Sequence, residues 1–140
     1  MRIVDCEERD EQYLYDGLTE YNLSQVPLTQ QIPYQPLNKK VVDDDDRIIA
    51  GCIARMYCWN VVYVDILWVD EQYRKAGLGR WLLRAVEEEA VRNHCTLIHL
   101  DTFDFQAKDF YLKQGFEIFG VLEDCPPGHC RYYLKKKLVE

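Results

Sequence analysis

The chain has 140 residues, 48% hydrophobic and 13% aromatic, with 24 acidic against 17 basic side chains and a formal charge of −7. That length and apolar content suit one folded domain, residues 1–140, burying roughly 68% of its unfolded surface. The acidic balance argues against a nucleic-acid partner, because no basic stripe is available to neutralise phosphates, and it favours a cationic ligand through long-range attraction. No apolar run is long enough to span a bilayer and the opening MRIVDCEERD lacks a signal-peptide core, which points away from membranes and toward the cytoplasm.

In chain order, Ile3 to Cys6 reads as a short strand. Residues 10–21 read as a helix in which Tyr13, Leu14, Gly17, Leu18 and Tyr21 recur at helical spacing, with Asp10 as its N-cap. Residues 22–36 hold Pro27, Pro33 and Pro36 and form a long irregular connection, a kind of segment that often carries function. Residues 37–42 and 47–59 are two strands joined at Asp43, Asp44, Asp45 and Asp46. That turn is a solvated hairpin tip, since it lacks the spacing and closing glutamate of a calcium loop.

Residues 61–69 form the next strand, whose nearly continuous hydrophobicity implies burial on both faces, as in a central strand. Residues 79–93 form an amphipathic helix with Leu78, Leu82, Val86 and Ala90 along one stripe and Leu83 beside it. The strand at residues 96–101 then lies parallel to residues 61–69, because a strand, helix, strand unit crosses over that way. A short helix over residues 107–114 stops at Gly115, and strands at 116–122 and 130–138 pair antiparallel across the loop 123–129. The six cysteines show no CxxC spacing. Cys52, Cys58 and Cys95 suit burial as small hydrophobes, and Cys125, His129 and Cys130 lack zinc-like pairing, so no metal site is expected.

The most informative stretch is VVYVDILWVDEQYRKAGLG, residues 61–79: an apolar strand, an arginine, two close glycines and then a helix. A helix start leaves N–H groups without partners and carries the positive end of the helix dipole, so it attracts anionic oxygens, and glycines let the main chain approach them. Three phosphate-binding patterns compete. A Walker loop is absent. The dinucleotide fingerprint GxGxxG has Gly77 and Gly79 and a suitably spaced acid in Asp101, but Leu82 stands at its third glycine and seven residues separate strand from turn. RxxGxG fits in full, with Arg74, Gly77 and Gly79.

Val69, Tyr73, Arg74, Gly77, Leu78 and Gly79 together resemble the acyl-coenzyme A motif of the GNAT superfamily of N-acetyltransferases, with Glu71 where proline is common. DFQAKDFYLKQGF, residues 104–116, is similar to the family's later motif at Ala107, Phe110, Tyr111, Gly115 and Phe116. The resemblance implies an α/β fold with a mixed, mostly antiparallel central sheet, one parallel strand-helix-strand crossover and flanking helices. It implies acetyl transfer from acetyl-CoA to a primary amine of a small molecule or protein, and it is compatible with a homodimer. A non-catalytic acyl-CoA binding module is the alternative. The cofactor would be held by Arg74, Lys75, Ala76, Gly77, Leu78, Gly79 and Arg80 at its pyrophosphate, by Leu67, Trp68 and Val69 along its pantetheine arm, and by Asp104 and Ala107 from the second motif. Asp104 is an acid where the family often has a cofactor-contacting asparagine.

Amine acylation needs a base for the amine, a donor for the carbonyl oxygen and an acid for the departing thiolate. The resemblance assigns the acid to Tyr111 and the carbonyl donor to a main-chain N–H near Val69. Alternation along the central strand puts Tyr63, Asp65 and Leu67 on one face, and an ionised acid in an apolar strand is costly unless paired or functional. Asp65 is therefore the first candidate base, with Tyr63, His99 and water as alternatives. In related enzymes the loop 123–129 shapes the acceptor pocket, and here it offers Glu123 and Asp124 to an ammonium group.

Overall fold

The computed structural model describes residues 1–139. Seven strands form one sheet: β1 (Tyr34–Pro36), β2 (Lys39–Val42), β3 (Ile48–Tyr57), β4 (Val61–Val69), β5 (Leu97–Phe103), β6 (Glu117–Glu123) and β7 (Cys130–Lys137). Their order is β1-β3-β4-β5-β7-β6, with β2 also paired to β3. Every pairing is antiparallel except β4 with β5, where helix α2 (Leu78–Arg92) makes the crossover. The mixed sheet with one parallel pair is therefore as expected. None of the described helices is long and apolar enough to cross a membrane.

One face of the sheet is dry. Leu82, Leu83, Val86 and Ala90 of α2 pack on Ala50, Cys52, Ala54, Met56, Val62, Val64, Ile98, Leu100 and Leu134 from four strands. Lys39 reaches Glu89 and Lys136 lies 3.0 Å from Glu87, tying β2 and β7 to the rim of α2. The short helix α3 (Lys108–Lys113) adds Tyr111, edge-on to Phe116. Cys52, Cys58 and Cys95 are buried as expected, and burial pushes the Cys52 and Cys95 thiols up to about 11.

Among the described residues no helix covers the opposite face, and three expectations change in the structure. The central strand β4 is buried only on the α2 side: Val62 and Val64 are enclosed, whereas Ile66 and Trp68 remain exposed. Helix α1 spans Glu8–Gln25, longer at both ends than the spacing predicted. Glu7 is its N-cap, and the Glu7 N–H donates to Asp10 at 2.7 Å, so Asp10 closes the first turn from inside. No residue of α1 is buried. Ile3 to Cys6 forms no strand, because no sheet edge lies beside it to supply the ladder bonds. The acidic hairpin is as predicted, with the Asp43 carboxylate accepting the Asp45 and Arg47 N–H groups at 2.9 Å each, which holds its pKa below the usual value.

Leu83 is 1% exposed at the centre of the α2 contact. Leu83→Ala is expected to cost about 2–5 kcal/mol through lost transfer energy and the cavity left behind, read as a lower urea midpoint at unchanged m-value.

Candidate active site

The geometry of the site begins with a mismatch in strand lengths. Parallel pairing of β4 with β5 runs from Val61↔Leu97 to Val64↔Leu100 and then stops, although β4 continues to Val69 and β5 to Phe103. At the same point β4 carries one residue more than β3: Ala54 pairs with Val64 and Ile53 with Ile66, so Asp65 is a bulge with no opposite number. A bulge bends its strand and raises the local twist. The two strands splay, and the side of β4 turned toward β5 carries unpaired main-chain groups beyond Val64.

The bulge also corrects the alternation read from sequence. Tyr63 shares its face with Arg55, but Leu67 lies opposite buried Cys52 on the α2 face, so Tyr63 and Leu67 point to opposite sides of the sheet. Asp65 is exposed rather than buried, which removes the cost argument once attached to it. What singles it out instead is position: it lines the splay, and its carboxylate makes no hydrogen bond among the described residues.

The splay opens into a cleft of about 870 Å³. Of the residues expected to hold a cofactor, Leu67, Trp68, Val69, Arg74, Lys75, Gly77, Leu78, Gly79, Arg80 and Ala107 line it; Ala76 sits on the loop outside the lining, as does Asp104. At one part of its wall the chain leaves β4 through a single 3-10 turn, Glu71–Tyr73, where the Asp70 carboxylate accepts the Gln72 N–H at 2.9 Å. Lys75 and Gly77 then adopt left-handed φ values of 69° and 79°. Such turns make concavities of main-chain N–H groups that suit anions. Among the described residues the N–H groups of residues 75–80 have no acceptor in the protein, and the first bond into α2 is Trp81 N–H to Gly77 O at 3.0 Å. Gly77 is the glycine the turn demands; a Cβ on Gly79 would sit at ordinary contact distance, 3.6 Å from the Phe110 ring. The Arg74 guanidinium donates to Val69 O at 3.3 Å, bracing the loop against the strand end.

The second motif builds the facing wall. Gln106 accepts the Phe103 N–H at 2.8 Å, and the buried Thr102 hydroxyl lies 3.2 Å from the same oxygen. This tight turn hands β5 to α3 and brings Tyr111 to the cleft. Tyr111 is 5% exposed, with its ring edge-on to Phe110 and Phe116 at 5.2 and 5.7 Å. Its hydroxyl has no protein partner yet is not sealed from the cleft. Burial first, then the Cys52 and Asp101 charges, drive its pKa well above the ordinary phenol value. The group therefore holds its proton throughout the neutral range.

Both carboxylate oxygens of Asp104 are engaged within the protein. Its carboxylate accepts the Cys130 N–H at 2.8 Å and meets His129 Nδ1 at 2.8 Å, clamping the β6–β7 loop to the end of β5. These bonds, the Cys130 N–H above all, lower its pKa. His99 does not line the cleft: its Nε2 lies 2.7 Å from the Tyr57 hydroxyl, and burial lowers its pKa. Two residues missed as a pair are Asp101 and Arg131. The Tyr63 hydroxyl donates to Asp101 Oδ2 at 2.8 Å, while Arg131 Nε and Nη2 hold Oδ1 at 3.0 and 2.5 Å. Burial, then the Asp101 hydrogen bond, push the Tyr63 phenol up to about 12. Both oxygens of Asp101 are thus occupied, and Tyr63 is held as a neutral donor. Only the register of β5 against β7 brings Arg131 near Asp101, and sequence spacing carries no sign of it.

Comparison with known proteins agrees with this geometry. The acetyltransferase (GNAT) domain profile matches residues 40–118. The blasticidin-S acetyltransferase of Streptomyces morookaense is 36% identical over 91 residues, which span 64% of this chain and 67% of that protein. A crystal structure of an acetyltransferase from Bacillus cereus superposes with a TM-score of 0.87 at 33% identity, covering 98% of this chain and 97% of the other. An aminoglycoside 6'-N-acetyltransferase complexed with coenzyme A has a TM-score of 0.67 over 99% of this chain and 98% of its own, and at 17% identity it speaks for the fold alone. In keeping with the splayed parallel pair, the matched profile places the chain in the GNAT acetyltransferase family.

Proposed function

We propose that the cleft transfers an acetyl group from acetyl-CoA to the primary amine of a small, cationic molecule. One observation carries the reading: a single cleft gathers unpaired N–H groups, a free carboxylate and a protonated phenol. Acetyl-CoA, when bound, supplies an activated thioester and a thiol leaving group. The N–H groups of residues 75–80 suit its pyrophosphate, because they point no bond elsewhere and stand at the positive end of α2, while Arg74, Lys75 and Arg80 add charge. The open side of β4 toward Val69 suits an amide-bearing arm as an added strand would.

Asp65 is assigned the base, because its carboxylate faces the cleft with no competing donor; it takes the proton of the ammonium directly or through a water and leaves the nitrogen lone pair free. A main-chain N–H of β4 near Val69 is the donor available to the carbonyl oxygen. Tyr111 Oη, held protonated by its raised pKa, delivers its proton to the sulfur as the nitrogen bonds to the carbonyl carbon and the C–S bond breaks, and the surplus proton on that nitrogen returns to the phenolate. The net charge of −7 and the exposed Asp65 favour a positively charged acceptor, and blasticidin S, the compound in the name of the 36%-identical relative, belongs in the first panel.

The direct test is CoA thiol release from acetyl-CoA over a panel of cationic small amines, with free lysine peptides alongside; binding of CoA without release on any of them would sink the enzymatic reading. Tyr111→Phe is expected to lower kcat about 10²-fold while leaving CoA affinity, read by calorimetry, unchanged. Asp65→Asn should lower kcat by about the same 10²-fold factor, with the loss shrinking as pH rises and more acceptor is already neutral. Gly77→Val forces a β-branched residue to φ 79°, and CoA binding is expected to weaken about 10-fold or more, with the urea midpoint far less affected.

A further inference from the structure

We propose that the chain is an exchanged-arm dimer in which helix α1 of each copy lies across the uncovered sheet face of the other. Two surfaces without partners motivate this. Along α1, Tyr13, Leu14, Leu18 and Tyr21 form one apolar stripe and are 81%, 58%, 59% and 62% exposed. On the sheet face away from α2, Ile53, Ile66, Trp68 and Phe119 are exposed as well. A stripe at helical spacing exists to be buried, and a sheet with one dry face and one greasy wet face lacks a layer.

The surface area agrees. The chain exposes 10326 Å², whereas a folded monomer of 16.7 kDa exposes about 7,600 Å². The excess of about 2,700 Å² is well beyond the roughly 800 Å² per partner that a standard specific interface occupies.

Charge fits too. Helix α1 carries Glu8, Asp10, Glu11, Asp16 and Glu20 against Arg9 alone. The uncovered face offers Arg55, Arg131, Lys135 and Lys137 by its strand register, against Asp101 and Glu117. An acidic helix on a basic, aromatic face is complementary in both respects.

The occupant is a second copy because α1 buries none of its residues in its own chain and is held at its C-terminal part. The Trp59 indole N–H donates to Val26 O at 3.0 Å, and the Thr19 and Tyr34 hydroxyls meet at 3.0 Å, so the C-terminal part of α1 is pinned at the β1 end of the sheet. Folding back would break both bonds. Reciprocal exchange about a two-fold axis buries both stripes and both faces at once and closes the assembly. It also completes the site, since Tyr63 and Arg131 belong to the same face and line the cleft. The exchanged helix would wall the acceptor side, independently of which amine is acetylated.

Sedimentation equilibrium of the full chain at tens of micromolar should give twice the chain mass. Leu14→Asp combined with Leu18→Asp changes residues that contact nothing buried in their own chain, so circular dichroism should be unchanged while dimer dissociation rises at least about 100-fold. A photo-crosslinker at position 18, in dimers refolded from a mixture of 15N-labelled and unlabelled chains, should join α1 of one isotope to β3, β4 or β6 of the other. A monomer at these concentrations, a dimer indifferent to the double substitution, or crosslinks confined to chains of one isotope would each overturn the proposal.

Discussion

The parting of β4 from β5 after Val64 and Leu100 is the constraint on which the site depends, and the extra residue Asp65 keeps the two from rejoining. A sheet that continued its ladder would spend those main-chain groups on each other and leave no slot. The bulge bends β4 away while α2, anchored by Leu82, Leu83 and Val86, holds the base of both strands together. The same residue that opens the gap also lines it, and its carboxylate has no hydrogen-bond partner among the described residues. Architecture and chemistry therefore meet in one position of the chain.

The two faces of the sheet divide the labour. The α2 face is apolar and tightly buried, and it supplies stability. The other face carries two hydrogen-bonded groups, Tyr57 with His99 and Tyr63 with Asp101 and Arg131, set among exposed apolar side chains. Its titratable members are held in fixed states: the Tyr63 and Tyr57 phenols are raised by burial and His99 is lowered by it. Such a wall is a scaffold of set donors and acceptors, and Asp65, at its border with the cleft, is the carboxylate that has no such partner.

Sequence reasoning succeeded where the signal was local. The strand Val61–Val69, the helix Leu78–Arg92 and the hairpin tip at Asp43 follow from an apolar run, an apolar stripe at helical spacing and turn chemistry, each contained within a few residues. Most of the turn before α2 was legible for the same reason, since the φ of its Gly77 calls for glycine. What was hidden depends on pairings distant in sequence. The bulge at Asp65 exists only relative to β3, so simple alternation placed Leu67 on the wrong face. The Asp101–Arg131 pair needs the β5–β7 register, and the clamp of Asp104 on Cys130 needs a loop to return 26 residues later. The missing strand at Ile3 and the bare stripe of α1 show the limit most clearly: propensity and spacing were right for a helix, but they say nothing of whose surface it covers.

Under the proposed function, the grip at residues 75–80 would be made by main-chain nitrogen, with side chains as auxiliaries. Peptide groups are common to all residues, so substitution at Ala76, Leu78 or Arg80 leaves the donors in place provided the turn keeps its path. Selectivity for a nucleotide tail and freedom of sequence can then coexist, and the fold can be re-equipped for new acceptors by changing the far wall alone. A protein built this way keeps its donor while its clientele drifts.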